Sequence, residues 1–452
     1  MRRIAFLAAA LLAAGCQVET EGAACDLPGA TDQCPSGQAC GNDGKCSTRA
    51  ASCAETRCEV GAKECRDGAP AVIAECRGTD PVCGVWETVE TCATGLVCGE
   101  GAAACACPLA ASKTYYFDPE RSGDLGVEPT GAPFPAECQL PSLEDALAAA
   151  SAAPGGRAVA GAGVSSHALG ATLEIPEGVT LAVAAPDVAK VTLAVGALDA
   201  ATRPAVVLHA GSALEGYVIR NEGATQGRAI EVACDAGAPA RLAAVEIAAE
   251  KADVGRFTTG VHVAGACGLE ASDLAVAGAS AAGLRVETPR ATGTSVANAT
   301  LSANGEGVHL RSGALTLRDV VVADNAGAGI LAGESAGGSE LDVERCTATR
   351  NGDSGMVLFN NSRIRLVDNT VTANEAASTW SAVARKVGGL VFRGDPPPPA
   401  LAGEPPSLLF HGNTVTGNSG DQVLVYLANG PWLLDGGDCE SLRNTFSCYD
   451  SS

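Results

Sequence analysis

The chain has 452 residues, with 30 basic against 52 acidic side chains and a formal charge of -22. That balance, spread along the whole length, excludes a broad nucleic-acid surface or a basic patch for anionic lipid, both of which need clustered Lys and Arg. A hydrophobic share of 46 % is enough to bury an interior, only 4 % of residues are aromatic, and the length predicts two or three domains.

The first segment reads as an export signal. Met1-Arg2-Arg3 supplies positive charge, Ile4 to Ala14 is an unbroken apolar run, and Gly15-Cys16 follows. The run is too short to span a bilayer, where about 20 apolar residues are needed. Leu12-Ala13-Ala14-Gly15-Cys16 resembles the lipobox of bacterial lipoproteins, with Ala13 at the place where that family prefers Leu. The resemblance implies acylation of Cys16, loss of the preceding peptide and, with Gln17 next, anchoring at the outer membrane or cell surface. A plain signal peptide is the alternative. The lipid anchor is the expected membrane contact of the mature chain.

A short linker, 17–24, leads into a stretch dense in thiol: Cys25, Cys34, Cys40, Cys46, Cys53, Cys58, Cys65, Cys76, Cys83, Cys92, Cys98, Cys105 and Cys107. In an exported chain this density predicts disulfides, because so small a segment with few large apolar residues needs covalent help. Zinc is disfavoured by an oxidising compartment and by the lack of His in the segment. The spacing divides it into modules at 25–52 and 53–110, the first of which resembles small modules of the EGF or Dickkopf type. Nineteen cysteines follow Cys16. Cys138 is expected to tie the cysteine-rich region to the next domain or to pair with Cys105 or Cys107; Cys234 is paired with Cys267, and Cys439 with Cys448. Cys346 is left over, and is expected to be a buried small hydrophobe without a reactive role.

From 111 to 435 the chain repeats. A Gly-apolar-x-apolar unit recurs at Gly260, Gly283, Gly307, Gly329, Gly355 and Gly389, and in phase with it runs a column ending in Asn304, Asn325, Asn351, Asn374 and Asn418. Periods of 20 to 30 residues mark solenoids, and short alternating units rich in Val, Thr and Ile mark strands. Asn is expected to take the left-handed turn and to stack on its counterparts, and Gly to permit close backbone approach. The combination resembles the right-handed parallel β-helix of the pectin-lyase-like fold, and implies an all-β solenoid of about eleven turns. An N-terminal cap is expected at 112–155, with Thr114 to Asp118 as opening strand and a helix from Leu143, Ser142 and Asp145 forming its capping box. Residues 436–452 form a disulfide-tied tail. Arg393-Gly394-Asp395 and the prolines after it are read as an ejected loop that lengthens the spacing from Gly355 to Gly389.

Within each unit the flanking apolar positions point inward, so the middle residue points out. The middle column reads Glu231, His262, Arg285, His309, Leu331, Val357 and Val391. The first four form the candidate ligand face, either as a solvated sheet surface or as a groove for polysaccharide. The Gly-His-Gly and Arg-Ile-Lys elements of polygalacturonases and the Trp-Ile-Asp-His element of pectate lyases are absent. Tyr116-Phe117-Asp118-Pro119-Glu120 is similar to the Asp-Pro-His-Glu site of alginate epimerases but lacks the His. No catalytic residue and no metal ligand is assigned. Calcium is the one cofactor that Asp118, Glu120, Asp124 and Glu128, or Asp435, Asp438 and Glu440, could hold, although neither set follows a calcium-loop pattern. The expected function is non-catalytic binding or surface display, with cell-envelope polysaccharide or another surface protein as partner and no nucleic acid. The alternatives are a divergent polysaccharide lyase or glycoside hydrolase, and a structural spacer.

Overall fold

The computed structural model describes residues 38–40, 45–47, 60–66, 71–78, 85–92, 97–99, 104–106, 113–117, 140, 142–161, 164–184, 190–196, 198, 203–223, 226–249, 255–289, 291–333, 339–359, 361–379, 385–393, 407–426, 433–435 and 447–449. The chain falls into two compact units, Met1–Pro108 and Leu109–Ser452. The expected signal, Cys16 and the linker lie outside the described residues.

In the first unit β1 (Ala39–Cys40) and β2 (Cys46–Ser47) form an antiparallel pair with Cys40 opposite Cys46. A three-stranded antiparallel meander follows: β3 (Lys63–Arg66), β4 (Val72–Arg77) and β5 (Val85–Thr91). A second small pair joins β6 (Val97–Gly99) to β7 (Ala104–Ala106). Among the described residues the buried ones are mainly thiols and small or branched apolar groups, namely Cys46, Ala71, Ile73, Ala74, Cys76 and Cys92, with Gln38 as a buried polar side chain. So small an apolar interior is supplemented by covalent links. Cys92 is bonded to Cys105, which removes the pairing of Cys138 with Cys105. Cys46, Cys65 and Cys76 are also disulfide-bonded. Cys25, Cys34, Cys53, Cys58, Cys83, Cys107, Cys138 and Cys439 lie outside the described residues. Cys40, Cys98 and Cys448 are placed on strands, without described side chains.

The second unit is a right-handed parallel β-helix. It opens with β8 (Thr114–Phe117), helix α1 (Leu143–Ser151) and β9 (Arg157–Ala160), β8 and β9 pairing in parallel. The Ser142 hydroxyl accepts the Asp145 amide at 3.0 Å and donates to the Asp145 carboxylate at 2.7 Å, which satisfies the helix start. Leu143, Ala146, Leu147 and Ala150 are the buried face of α1, at the i, i+3, i+4, i+7 spacing of an amphipathic helix. This face shields the end of the coil, where a β edge would otherwise recruit another chain.

Thereafter each turn contributes a strand to three faces. The first face holds ten strands, from Ser166–Leu169 to Thr414–Thr416. The second runs from Leu173–Ile175 through Pro204–Leu208, Gln226–Val232, Phe257–Val263 and Ala282–Glu287 to Asp421–Tyr426, with Ser447–Tyr449 beyond. The third runs from Thr114–Phe117 to Leu433–Asp435. Glu306–Arg318 passes through both the second and the third, pairing with successive partners in each. The second face has eleven strands, in keeping with the about eleven turns that the repeat count predicts, and at about 4.8 Å per turn the coil is on the order of 50 Å long. Inward positions of all three faces merge into one apolar column from Phe117 to Val423. Each fully buried Val, Leu or Ile in it contributes about 1.5–3 kcal/mol of transfer free energy.

The corners differ from expectation in one respect. The asparagines do not take the left-handed turn. The residues just before them do: Ala303, Asp324, Arg350 and Ala373, all with φ between 53° and 57°. Asn304, Asn325, Asn351, Asn374 and Asn418 instead point inward and are buried. Asn351 Nδ2 donates to Asn374 Oδ1 at 2.8 Å and to the Val322 carbonyl at 3.1 Å, and Asn325 and Asn374 repeat the pattern. A buried amide is tolerated here because its donors and acceptor are all used. Gly307 faces the same crowding. A β-carbon there would meet the Val322 methyl and come within 2.6 Å of the Gly329 carbonyl oxygen, so the column must be glycine.

Cys346 is 1 % exposed and replaces the ladder asparagine at another corner, its sulfur accepting from the Val320 amide and its own amide donating to Asn369 Oδ1. Burial pushes its thiol up to about 11, which keeps it un-ionised. The long spacing from Gly355 to Gly389 also has a different source from the one expected. The extra residues lie between Thr370–Thr372 and Val387–Arg393, where Thr379 bridges to Lys386, whereas the proline-rich segment comes after Gly389.

Candidate functional site

On the second face the middle column is in register. Val207 lies beside Glu231, Glu231 beside His262, His262 beside Arg285, and Arg285 beside His309. The column continues through Leu331, Val357 and Val391 to Leu424. Its flanking residues, such as Ile230 and Val232 or Val261 and Val263, are fully buried in the coil. The four residues of the candidate ligand face are therefore brought together, one per turn.

They do not form an open, solvated surface. His262 is only 6 % exposed. Its Nε2 lies 3.2 Å from Glu287 Oε2, and its Nδ1 lies 3.8 Å from Glu231 Oε1, beyond hydrogen-bond reach, so this buried nitrogen makes no hydrogen bond. Arg285 donates Nε and Nη2 to Glu287 Oε1, at 3.0 and 2.6 Å, and Arg311 donates to the same oxygen at 2.8 Å. Arg228 holds Glu231 at 2.8 Å, and His309 Nδ1 lies 2.8 Å from Glu306. Glu287 is the hub. Burial would raise its carboxyl, but the hydrogen bonds from Arg285 and Arg311 outweigh this and hold it at about 2. His262 is shifted the other way: burial and the Arg228 charge lower its pKa, against the pull of Glu287 and Glu231. At neutral pH it is an uncharged imidazole with one nitrogen facing a carboxylate and one unused.

A cavity of about 280 Å³ opens here, lined by Gly227, Arg228, Thr258, Thr259, His262, Arg285 and Glu287. Arg285 spends Nε and Nη2 on Glu287, and Arg228 spends Nη1 on Glu231. Further guanidinium hydrogens thus remain for a ligand. Arg228, Arg285 and Arg311 are balanced here by Glu231, Glu287 and Glu306, so on a chain of charge -22 this cluster is close to neutral. Glu287, Arg228, Arg311 and the two threonines were not in the predicted set. Glu287 carries a legible signal, standing two residues after Arg285 and so on the same outward side. A larger open concavity of about 700 Å³ lies beside Cys234, which is bonded to Cys267, but alanine and glycine make up most of its wall and it gathers no converging donors.

The apolar half of the column behaves differently again. Leu331 is 6 % exposed, and Val357, Val391 and Leu424 are 0 % exposed. With Ala328 and Val387 they form a second small apolar cluster, separate from the main core and on the outer side of the sheet. Of the calcium candidates, Asp118, Glu120, Asp124, Glu128, Asp438 and Glu440 lie outside the described residues, and Asp435 ends a strand without a described side chain. Among the described residues no group of three or more His, Cys, Asp or Glu could hold a metal ion. Among them too, no helix is long and apolar enough to cross a membrane.

The match to a family model supports the architecture. No curated protein matches the sequence. Among solved structures, the A-module of the Azotobacter vinelandii mannuronan C-5 epimerase is similar over 65 % of this chain and 89 % of its own, with 15 % identity and a TM-score of 0.36. Residues 251–392, which include His262, Arg285, Glu287 and His309, match the family described as a right handed beta helix region.

Proposed function

We propose that the chain is an exported protein, anchored through acyl groups on Cys16 at the outer membrane or cell surface, whose β-helix binds a cell-envelope polysaccharide without altering it. The observation that carries this reading is the polar cavity around His262, where spare guanidinium hydrogens of Arg228 and Arg285 face the same space as two threonines. Hydroxyl and acidic groups of a glycan suit such a donor set. A hydrolase would need a carboxylic acid that holds its proton near the working pH. Glu287, at about 2, is an ionised structural hub and unfit for that task. The cavity lies on a rigid scaffold, as a receptor for one segment of a long polymer requires.

A second reading, a divergent polysaccharide lyase, draws on His262 alone. A neutral imidazole lining the cavity would accept the proton of a sugar carbon whose acidic group Arg285 holds, as the glycosidic C–O bond on the adjacent carbon breaks and the leaving oxygen takes a proton from water. The test is a glycan array probed with the full chain, followed by titration of the best glycan with the parent, Arg285→Ala and His262→Ala forms. Binding weakened about tenfold or more in Arg285→Ala supports the binding reading. Absence of any bound glycan, or equal affinity of all three proteins, defeats it. New unsaturated ends that appear with the parent and vanish with His262→Ala would move the assignment to the lyase.

A further inference from the structure

His262 stands between two turns that both present a carboxylate to it. On Gln226–Val232 the facing charged groups are Arg228 and Glu231, and on Ala282–Glu287 they are Arg285 and Glu287, with Arg311 of the next strand also reaching Glu287. His309 and Glu306, one turn further, pair with each other at 2.8 Å. Glu287 is ionised and can only accept, so in the uncharged imidazole Nε2 carries the ring hydrogen and donates it to Glu287 Oε2 at 3.2 Å. Nδ1 then offers a lone pair alone, and across 3.8 Å it meets Glu231 Oε1, a second acceptor. Arg228 holds the other oxygen of that carboxylate at 2.8 Å. Two facing acceptors with no hydrogen between them account for a ring nitrogen that makes no hydrogen bond on a side chain 6 % exposed. The cluster is one proton short.

A second ring proton would turn the contact between Nδ1 and Glu231 into a donor facing an acceptor, and a movement of about 1 Å closes it to hydrogen-bond distance. What opposes that proton is burial first and the charge of Arg228 next. Arg228 also lines the cavity beside His262, together with Arg285 and the two threonines. An anion seated against Arg228 there cancels the charge that keeps the proton away. The protonated ring in turn adds one positive charge to a cluster in which three arginines and three glutamates balance. Each event favours the other, and by linkage the two couplings are equal in size. A neutral ligand has no charge with which to cancel that of Arg228 and leaves the ring as it was.

We propose that His262 is a proton gate on this cavity: the ring takes up its second proton together with an anion, so that acid tightens anion binding and a bound anion holds the ring charged. The gate rests on the cavity being the ligand site and goes beyond it by assigning a regulator. The test is carbon NMR of the full chain labelled at histidine Cε1, titrated with acid in sodium chloride and in sodium sulfate at equal ionic strength. The chain has 5 His, and each ring signal is assigned by its loss in a single His→Gln variant, or by elimination where His262→Gln does not fold. Sulfate should raise the titration midpoint of His262 by about one pH unit, a coupling of about tenfold, and leave His167, His209 and His411 unmoved. Arg228→Gln should raise the midpoint in chloride and abolish the sulfate effect, and Glu231→Gln should lower it. A His262 midpoint that sulfate moves no further than those of His167, His209 and His411 overturns the proposal, as does a sulfate effect that survives in Arg228→Gln. A failed glycan array with the sulfate shift intact removes the polysaccharide and leaves the gate, whereas a bound glycan without a sulfate shift removes the gate alone.

Discussion

Two stretches of the second face start from the same geometry and end differently. Glu231, His262, Arg285 and His309 point off the sheet at the same register as Leu331, Val357, Val391 and Leu424. The first four are joined by ion pairs around a cavity, whereas the last four are packed into a second apolar cluster. A side chain's direction off a sheet follows from pleat and register, but whether it meets solvent depends on what else the chain lays over that place.

The contrast is most sharply broken by a charge in the apolar half. Val391→Asp should destabilise the coil by about 3–5 kcal/mol in urea unfolding, because the carboxylate would be buried without a partner. An effect below about 1 kcal/mol, typical of surface positions, would show that the strip is solvated after all. Gly307→Ala, at the start of the His309 strand, should cost about 1–3 kcal/mol through collision with Val322 and the Gly329 carbonyl. Asn351→Ala should fall in a similar or slightly lower range, about 1–3 kcal/mol, because it removes the Oδ1 that accepts from the Asn325 backbone amide and side chain and one of the two donors to Asn374 Oδ1.

In the polar half the effects concern binding and pH more than folding. Glu287→Gln removes the charge that gathers Arg285, Arg311 and His262, so ligand affinity and the melting temperature at neutral pH should both drop. Because the Glu287 carboxyl is depressed to about 2 from an ordinary 4.5, its stabilising contribution is full above pH 4.5 and is lost as pH falls toward 2. His262, lowered by burial, acts in the same sense: stability present above its ordinary value of 6.5 declines as acid forces a proton onto it. Acid titration of the parent should therefore show a loss of stability between pH 4.5 and 2 that is smaller in Glu287→Gln. The smallest effect is expected at the exposed pair of Asp324 and Arg350, where Asp324→Ala should cost no more than about 1 kcal/mol despite its two 2.7 Å hydrogen bonds.

Much of the coil was legible before any coordinates. The glycine column announced close backbone packing, the asparagine column announced stacking amides, and the middle column was in register over every turn named. The capping box at Ser142 and Asp145 was equally plain, since its partners are three residues apart. What could not be read were features made by residues from different turns. The hub at Glu287 needs Arg311 from the next turn as well as Arg285 beside it, and nothing in the spacing says which of several outward carboxylates will win two guanidinium groups. The left-handed corners fell on Ala303, Asp324, Arg350 and Ala373, one place before the expected asparagines, because the inward amide position demands ordinary backbone and passes the strain to its neighbour.

By itself, then, the sequence determined the period, the strand character and the cap, because each rests on local chemistry, the first two on a pattern repeated every 22 to 26 residues over most of the coil. Only tertiary structure decided which outward groups would be covered, paired or left facing a cavity. Those outcomes depend on contacts between turns and on where the intervening segments return, and that information is spread over residues too distant in the chain for any local pattern to carry.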